Sequence, residues 1–425
     1  MDNLILQLKQ NNHLLNIIRC NPGISKNALT EIFDVSLPTM ANTIESCRKS
    51  GILFTDPSIH INADYAHMIG LSIGSAQTKL CIINMNFEMI TSDIFKQIVK
   101  KLNIFKVASS YMQEKKIPLE NFICFETPDN LFDLQSQLDL CMNDIINIIE
   151  HQNEFKLNII SVGLTFTGTV DNFSKKIIKS HNLDFISDKP LSNIVFPNRI
   201  DYFESKSINI YVDNNSNSAT VAEKYNLYNV ASSNYKFRNK QNIMAIYLGA
   251  GIGTGLIFHN KLYRGASNAI GELGHIQVPP YYEKNNSPST NEICCSCGND
   301  NCLDFRIRND VFNMTKADFS KMSSKDIATY FTVHSEKLDV MAYYIGYITN
   351  LVINILNLDI IVFTGKFKLI MDQLWLPLYK YINSNKLSYI SNDCVLAVSP
   401  LGVAAPAIGV AISSYFDKIN EDIEW

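Results

Sequence analysis

The spacing of apolar residues changes character along the chain. From Ile5 to Cys20 they recur at helical intervals, and Asn21-Pro22-Gly23 stops the run. Ser25 stands where a second helix needs its N-cap, and Ala28, Leu29 and Ile32 mark one buried face as far as Phe33. After a turn at Asp34-Val35, Ser36 caps a third helix in which Met40, Ile44 and Cys47 share a face. Helix, short break, helix is the outline of a helix-turn-helix. Two β-like runs, 52–55 and 59–62, flank Asp56-Pro57-Ser58 in the manner of a wing. From Met68 onward, apolar runs of strand length alternate with long amphipathic stretches, which predicts an α/β fold. Strands are expected at 68–73, 80–84, 159–165, 208–212, 243–248, 255–258, 360–363 and 395–399. The glycine-poor segment 100–152 is expected to be largely helical, and 281–289 a polar loop.

Length adds that 425 residues exceed one ordinary core, so two or three domains are expected. The composition is that of a globular chain, 46% hydrophobic and 18% charged with a net charge of -4. Lys9 and Arg19 interrupt the amino-terminal pattern, which therefore does not read as a signal peptide. No apolar run reaches the ~18 residues of a bilayer span. The longest, 340–363, is broken by Asn350, Asn354, Asn357 and Asp359. The expectation is a cytoplasmic protein with no membrane partner, in a compartment that keeps thiols reduced.

That expectation bears on the cysteines. Cys20, Cys47, Cys81, Cys124, Cys141 and Cys394 are scattered among apolar residues and read as small core side chains. The other four crowd into CCSCGNDNC, 294–302. A reducing compartment argues against a disulfide, and a redox pair would need a CxxC-type arrangement at a helix start. Zinc prefers a tetrahedron of cysteine and histidine. Cys295, Cys297 and Cys302 leave such a site one ligand short, with His275 the nearest upstream candidate; Cys294 is left out as pointing the other way.

Two glycine-rich turns join strands. IGLSIGSAQTKL (69–80) contains Ser72, Gly74 and Thr78, and YLGAGIGTGLIF (247–258) contains Gly249, Gly251, Gly253 and Gly255. Glycine lets backbone N–H groups approach an oxyanion, although tight β-turns use the same residues. Two such turns suggest two lobes facing one cleft. Between them, Asp213-Asn214-Asn215 sits at a strand's carboxyl end, where open α/β sheets place ligands; an asparagine-rich helix cap is the alternative. RGASNAIGELGHIQV (264–278) places Glu272 and His275 three apart.

GELGH (271–275) followed by CSCGNDNCLD (295–304) resembles the paired signature of the ROK family of repressors, open reading frames and kinases. GLTFTGTVD (163–171), HNLDF (181–185), VDNNSNSATVAE (212–223) and LGVAAPAIGVAI (401–412) are similar to further family segments. The resemblance implies a two-lobed actin/hexokinase-like, ribonuclease H-like α/β fold preceded by the winged helix-turn-helix. It divides the chain into a head at 1–64, a first lobe at 65–205 completed by a C-terminal helix at 402–425, and a second lobe at 206–401. By position it implies structural Zn²⁺ on His275, Cys295, Cys297 and Cys302, and a sugar site drawn from Asn214, Asn215, Glu272, His275 and Asp304. Asp304 is one methylene shorter than the family's glutamate.

Other departures concern phosphoryl transfer. Asn215 occupies the position of the kinases' general base, and an amide cannot accept a proton at neutral pH. Ser72 replaces an acid that helps hold Mg²⁺ and phosphate, so the phosphate loops at Ser72, Gly74, Thr78, Gly249, Gly251 and Gly253 read as degenerate. FTGKF (363–367) stands where a glycine run contacts nucleotide. These changes argue against ATP/Mg²⁺ as a cofactor and against catalysis.

In the head, Ser36, Thr39, Asn42, Thr43 and Ser46 are expected to face the major groove, with Arg48 and Lys49 reaching phosphate. Residues 1–60 hold five Lys/Arg and five Asp/Glu, so the head lacks a strong basic footprint and a dimer would have to compensate. The resulting expectation is a sugar-responsive regulator of carbohydrate metabolism, a repressor, acting as a homodimer or dimer of dimers on operator DNA with a sugar or sugar phosphate effector. The alternatives are an ATP-dependent kinase of hexoses or N-acetylhexosamines and a zinc-stabilised scaffold without sugar binding.

Overall fold

A computed structural model describes residues 2–90, 92–101, 122–231, 240–281, 294–385 and 394–421. The head begins with α1 (Asp2–Cys20), α2 (Lys26–Phe33) and α3 (Leu37–Lys49). Ser25 and Ser36 cap α2 and α3, accepting from the N–H groups of Ala28 at 3.1 Å and Thr39 at 3.3 Å. Asp34, in the left-handed region at φ 49°, ends α2. Leu29, Met40, Ile44 and Cys47 are buried as their spacing predicts. Ile32 is not; half its surface is exposed, because the inward place at the end of α2 is taken by Phe33, whose ring meets His13 at 5.0 Å. The wing is a hairpin of β1 (Leu53–Phe54) and β2 (His60–Ile61), shorter than the runs that predict it.

The head has no core of its own. Leu8, Leu15, Ile44 and Ile52 belong to the same apolar cluster as the first lobe. Arg19, almost fully buried, donates to the Met85 carbonyl at 2.9 Å and lays its guanidinium 3.8 Å from the centre of the Phe87 ring.

Each lobe holds a five-stranded sheet, and the two sheets share one topology. In the first, β3 (His67–Ile73), β4 (Gln77–Ile83) and β5 (Phe122–Glu126) form an antiparallel meander, with β6 (Ile159–Phe166) parallel to β3. A three-stranded flap of β7 (Thr169–Asp171), β8 (Lys176–Lys179) and β9 (Lys189–Pro190) follows, and β10 (Asn209–Asn214) completes the sheet in parallel with β6. In the second, β11 (Ile243–Leu248), β12 (Ile252–Phe258) and β13 (Lys261–Tyr263) form the meander, and β14 (Ile360–Gly365) and β15 (Val395–Val398) add in parallel.

Two expectations need correction. The segment 100–152 is not simply helical: β5 is a strand, and Leu131–Glu150 is the helix that follows; 102–121 lies outside the described residues, as does most of 281–289. The division at residue 206 comes one strand too early, because β10 pairs with β6 and so belongs to the first lobe.

The carboxy-terminal helix, Ala405–Lys418, packs across β3, β6 and β10 and completes the first lobe. It also lies against the helix Asn215–Ala231 that leaves β10. Both contacts are backbone-close. A Cβ on Gly70 would sit 1.9 Å from the Ala407 carbonyl oxygen, and one on Gly409 1.6 Å from that of Ser218. Lys337–Leu356 is long and apolar enough to cross a membrane by length and composition, but its inner face, including Tyr344, Ile345 and Ile348, is buried in the second-lobe core.

Candidate functional site

The ends of the two sheets face a cavity of about 750 Å³. That is the size of a small-molecule pocket. Asn214, the last residue of β10, does two jobs at its rim. Its carbonyl accepts from the N–H groups of Ser216 at 2.7 Å and Asn217 at 3.2 Å, capping the helix Asn215–Ala231, and its amide donates to the Gly168 carbonyl. Asn215 is tied to β3: Ser72 donates to its carbonyl at 3.1 Å, and its amide donates to the Ile73 carbonyl at 3.2 Å. The two positions where the kinase pattern has acids are therefore neutral and satisfied by one another.

Below this rim lies a buried ion pair that connects the lobes. Arg264, just after β13, reaches Asp213 with both terminal nitrogens at 2.7 Å and donates to the Tyr211 hydroxyl at 2.6 Å. Asp213 has no solvent exposure. Burial works against the charge on Arg264, but the carboxylate outweighs it and holds the guanidinium above its ordinary range. Sequence reasoning had set Asp213 at the right place and missed Arg264; its position at the head of the GELGH segment was the available signal.

On the second-lobe side, Glu272, His275 and Asp304 all line the cavity. Asp304 is fixed by the Ile252 N–H, which donates to it at 2.6 Å. Burial pushes its carboxyl up to about 6, against the pull of that N–H and of His275. Glu272 keeps part of its side chain exposed to the cavity, and its partial burial raises its carboxyl while His275 lowers it. His181, on the first lobe, meets the His275 ring edge-on at 5.1 Å and was not singled out from the sequence.

The glycine turns divide. Ser72, Gly74, Gly249, Gly251 and Gly253 reach the cavity. Gly251 and Gly253 also serve packing: a Cβ would meet Asp304 Oδ2 at 2.4 Å in one and Ser216 Oγ at 2.0 Å in the other. Thr78 does not reach the cavity. It is fully buried on the other face of β4, with its hydroxyl 2.8 Å from that of Thr127.

Beside the cavity, the four expected metal ligands converge. Their ligand atoms all lie within 4.8 Å of one another, and Cys295 Sγ is 3.6 Å from His275 Nδ1. Zn–S and Zn–N bonds of roughly 2.3 and 2.1 Å at tetrahedral angles place ligand atoms about 3.6–3.8 Å apart, so the donor set fits zinc. Among themselves these groups share protons: the contact with Cys295 pushes His275 up to about 9, and the bond from Cys302 holds Cys295 well below the thiol range. A divalent cation replaces such protons. Cys294 is exposed and outside the group.

In the head, Ser36, Thr39, Asn42, Ser46, Arg48 and Lys49 are exposed along α3, and Thr43 is half-buried. Ser36 and Thr39 are engaged in the cap, their hydroxyls 2.8 Å apart. Arg48 makes a two-pronged ion pair with Glu45 at 2.6 and 2.7 Å, and Lys49 lies 3.9 Å from the same carboxylate.

A family model described as the ROK family matches residues 135–414. The xylose repressor of Bacillus spizizenii is 22% identical over 417 residues, covering 96% of both chains. A solved structure of a ROK family transcriptional regulator, a homolog of the E. coli MLC protein, superposes with a TM-score of 0.65 at 15% identity, covering 97% of this chain and 98% of that one. A ROK family glucokinase from Streptomyces griseus, solved with glucose and AMPPNP, gives 0.55 at 16% identity, covering 82% of this chain and 99% of that one. At such identities the structural matches speak for the fold.

Proposed function

From the premise that this chain belongs to the ROK family, we propose that it is a sugar-responsive, DNA-binding transcriptional repressor that uses a kinase-like body as its sensor. The observation that carries this reading is the combination of a capped helix-turn-helix with the Ser72–Asn215 hydrogen bond in the cleft. A head built to present α3 is joined to a cleft that has the outline of a kinase site and no carboxylate at Asn215 to take a proton. The full-length likeness to a xylose repressor supports the same reading.

In this reading a sugar enters the cleft, where Glu272 and Asp304 read its hydroxyl groups, joined by His275 and the amides of Asn214 and Asn215. His275, Cys295, Cys297 and Cys302 would hold zinc, whose closed coordination ties the loop bearing Asp304 to the segment bearing Glu272. Since Nδ1 of His275 faces Cys295, Nε2 is the nitrogen left for a ligand. Ser36, Thr39, Asn42, Thr43 and Ser46 meet the major groove, with Arg48 and Lys49 at phosphate. The protein acts in the cytoplasm on operator DNA, and a homodimer gives two heads for two half-sites. Sugar changes DNA affinity only as far as it binds one lobe arrangement better than the other.

Gel retardation on the DNA upstream of the protein's own gene, with and without a panel of pentoses, hexoses and N-acetylhexosamines, tests the proposal. Retardation that a sugar relieves is expected. No retardation under any condition, together with sugar-dependent ADP release in a coupled assay, would establish a kinase instead.

A further inference from the structure

The cavity that Glu272 and Asp304 line also holds two buried lysines that form no ion pair among the described residues. Lys79 on β4 and Lys366 just after β14 come from different lobes, are 6% and 7% exposed, and both line the cavity. The sheet register explains Lys79. It stands directly opposite Ser72 on β3 and Cys124 on β5, so the row across these strands carries one cation and no acid. The Lys79 ammonium makes no hydrogen bond among the described residues. Lys366 has one long bond to the Phe319 carbonyl, at 3.4 Å, for its three donors. Burial pulls Lys366 down to about 7, and Lys79 is close enough to pull it further, opposed by Asp326. Exposed Lys321, Lys325 and Asp326 line the same cavity.

Burying two neighbouring ammonium groups is costly unless something else compensates them. The Tyr247 ring helps to say what. It stands between two glycine turns, since a Cβ on either Gly249 or Gly365 would lie within 2.9 Å of it. That wall therefore presents a phenol ring and an ammonium group.

We propose that this part of the cavity is an anion subsite in which Lys79 and Lys366 hold the phosphoryl group of a phosphorylated sugar whose hydroxyl groups reach Glu272 and Asp304. This deepens the sugar-sensor reading and rests on it for the identity of the sugar part. The cavity is large enough to admit a hexose phosphate. Each lysine supplies a charge-assisted bond to phosphate that a free sugar cannot use.

Calorimetric titration of the full-length protein with hexoses, their 6-phosphates, inorganic pyrophosphate and ADP tests this. At least one 6-phosphate is expected to bind on the order of tenfold or more tighter than its parent sugar. Lys79→Met and Lys366→Met should each remove most of that advantage while leaving the parent sugar's affinity within about twofold, and Lys366→Arg should retain it. Parent sugars that bind with no phosphate advantage, or an advantage that survives both Met variants together, overturn the subsite and leave the sugar reading intact. Pyrophosphate binding lost in the Met variants, with no sugar of either kind bound, keeps the subsite and overturns the sugar reading. ADP binding tighter than any sugar phosphate and lost in the same variants overturns the assignment of the phosphate to a sugar.

Discussion

Removing the Arg264 guanidinium strands the Asp213 carboxylate inside the protein. That carboxylate accepts from Arg264 twice at 2.7 Å, from the Tyr211 hydroxyl at 2.9 Å, from the Asn214 N–H at 2.7 Å and from the Asn217 amide at 3.2 Å. In Arg264→Met the three neutral donors remain and the two charge-assisted bonds are lost. At roughly 1.5–3 kcal/mol for each such bond, the expected destabilisation is about 3–6 kcal/mol, overlapping the roughly 3–5 kcal/mol found when one member of a buried pair is removed. Asp213→Asn should cost a similar amount, because it leaves the guanidinium buried. The double variant buries neither charge alone and should fall short of the sum by about 2 kcal/mol or more. Urea unfolding followed by circular dichroism measures all three, and the coupling should persist at high salt because the pair is shielded from ions. A cost below about 1 kcal/mol for Arg264→Met, the worth of an exposed pair, would refute the reasoning.

Further outcomes are expected elsewhere. Chelation should release a single zinc and lower the thermal midpoint by more than about 5 °C, as should Cys297→Ser; Cys294→Ser should leave both the metal content by mass spectrometry and the midpoint unchanged. His67, 1% exposed, is pushed by burial from 6.5 down to about 4, so it folds as the neutral imidazole. Its contribution is complete above pH 6.5 and is lost as pH falls toward 4, which predicts about 2 kcal/mol less stability at pH 5 than at pH 7, a difference that His67→Gln should remove. Glu45→Gln frees Arg48 and Lys49 and withdraws a negative charge from α3, the helix proposed to face DNA. It should raise affinity for DNA several-fold and steepen the dependence of log K on log salt by about 1–2, with stability unchanged within about 0.5 kcal/mol.

What was legible in the sequence was local. The caps at Ser25 and Ser36, the inward face of α3 and most strand cores follow from spacing within one element. What was missed depends on partners. β5 is buried on both faces, and a short apolar run such as Phe122–Phe125 cannot be told from a helix segment by periodicity. Nothing in β10 itself says which sheet it will join. In the site, the signature segments supplied Asn214, Asn215, Glu272, His275 and Asp304, all of which line one cavity. Thr78 was chosen by proximity to a glycine turn, but neighbours on a strand point to opposite faces, and Lys79 is the one that faces the cleft. Arg264 acquires its meaning only from Asp213, fifty-one positions away.

The packing of the head constrains how a ligand signal could travel under the proposed function. The helix Asn215–Ala231 begins at the cleft and runs about 25 Å at 1.5 Å per residue. Past its midpoint Tyr225 stacks on Phe416 and meets Phe87 edge-on, and Phe87 is the ring that Arg19 of α1 covers. Moving the head against the first lobe would break the Arg19–Met85 bond and open a shared core, so head and first lobe travel as one body. The second lobe has its own core and, besides the Arg264–Asp213 pair, packs its sheet on the helix Asn215–Ala231: Leu227 shares an apolar cluster with Ile243, Ile257, Ile360 and Val362, and Glu223 accepts from the Thr364 and Ser399 hydroxyls at 2.6 Å. The helix Asn215–Ala231 is thus held by both lobes, and a closure driven by ligand would have to pass through its packing. Since that helix touches the cleft, the second-lobe sheet and α1, a variant in it, more than one in α3, should uncouple sugar binding from DNA release under the proposed function.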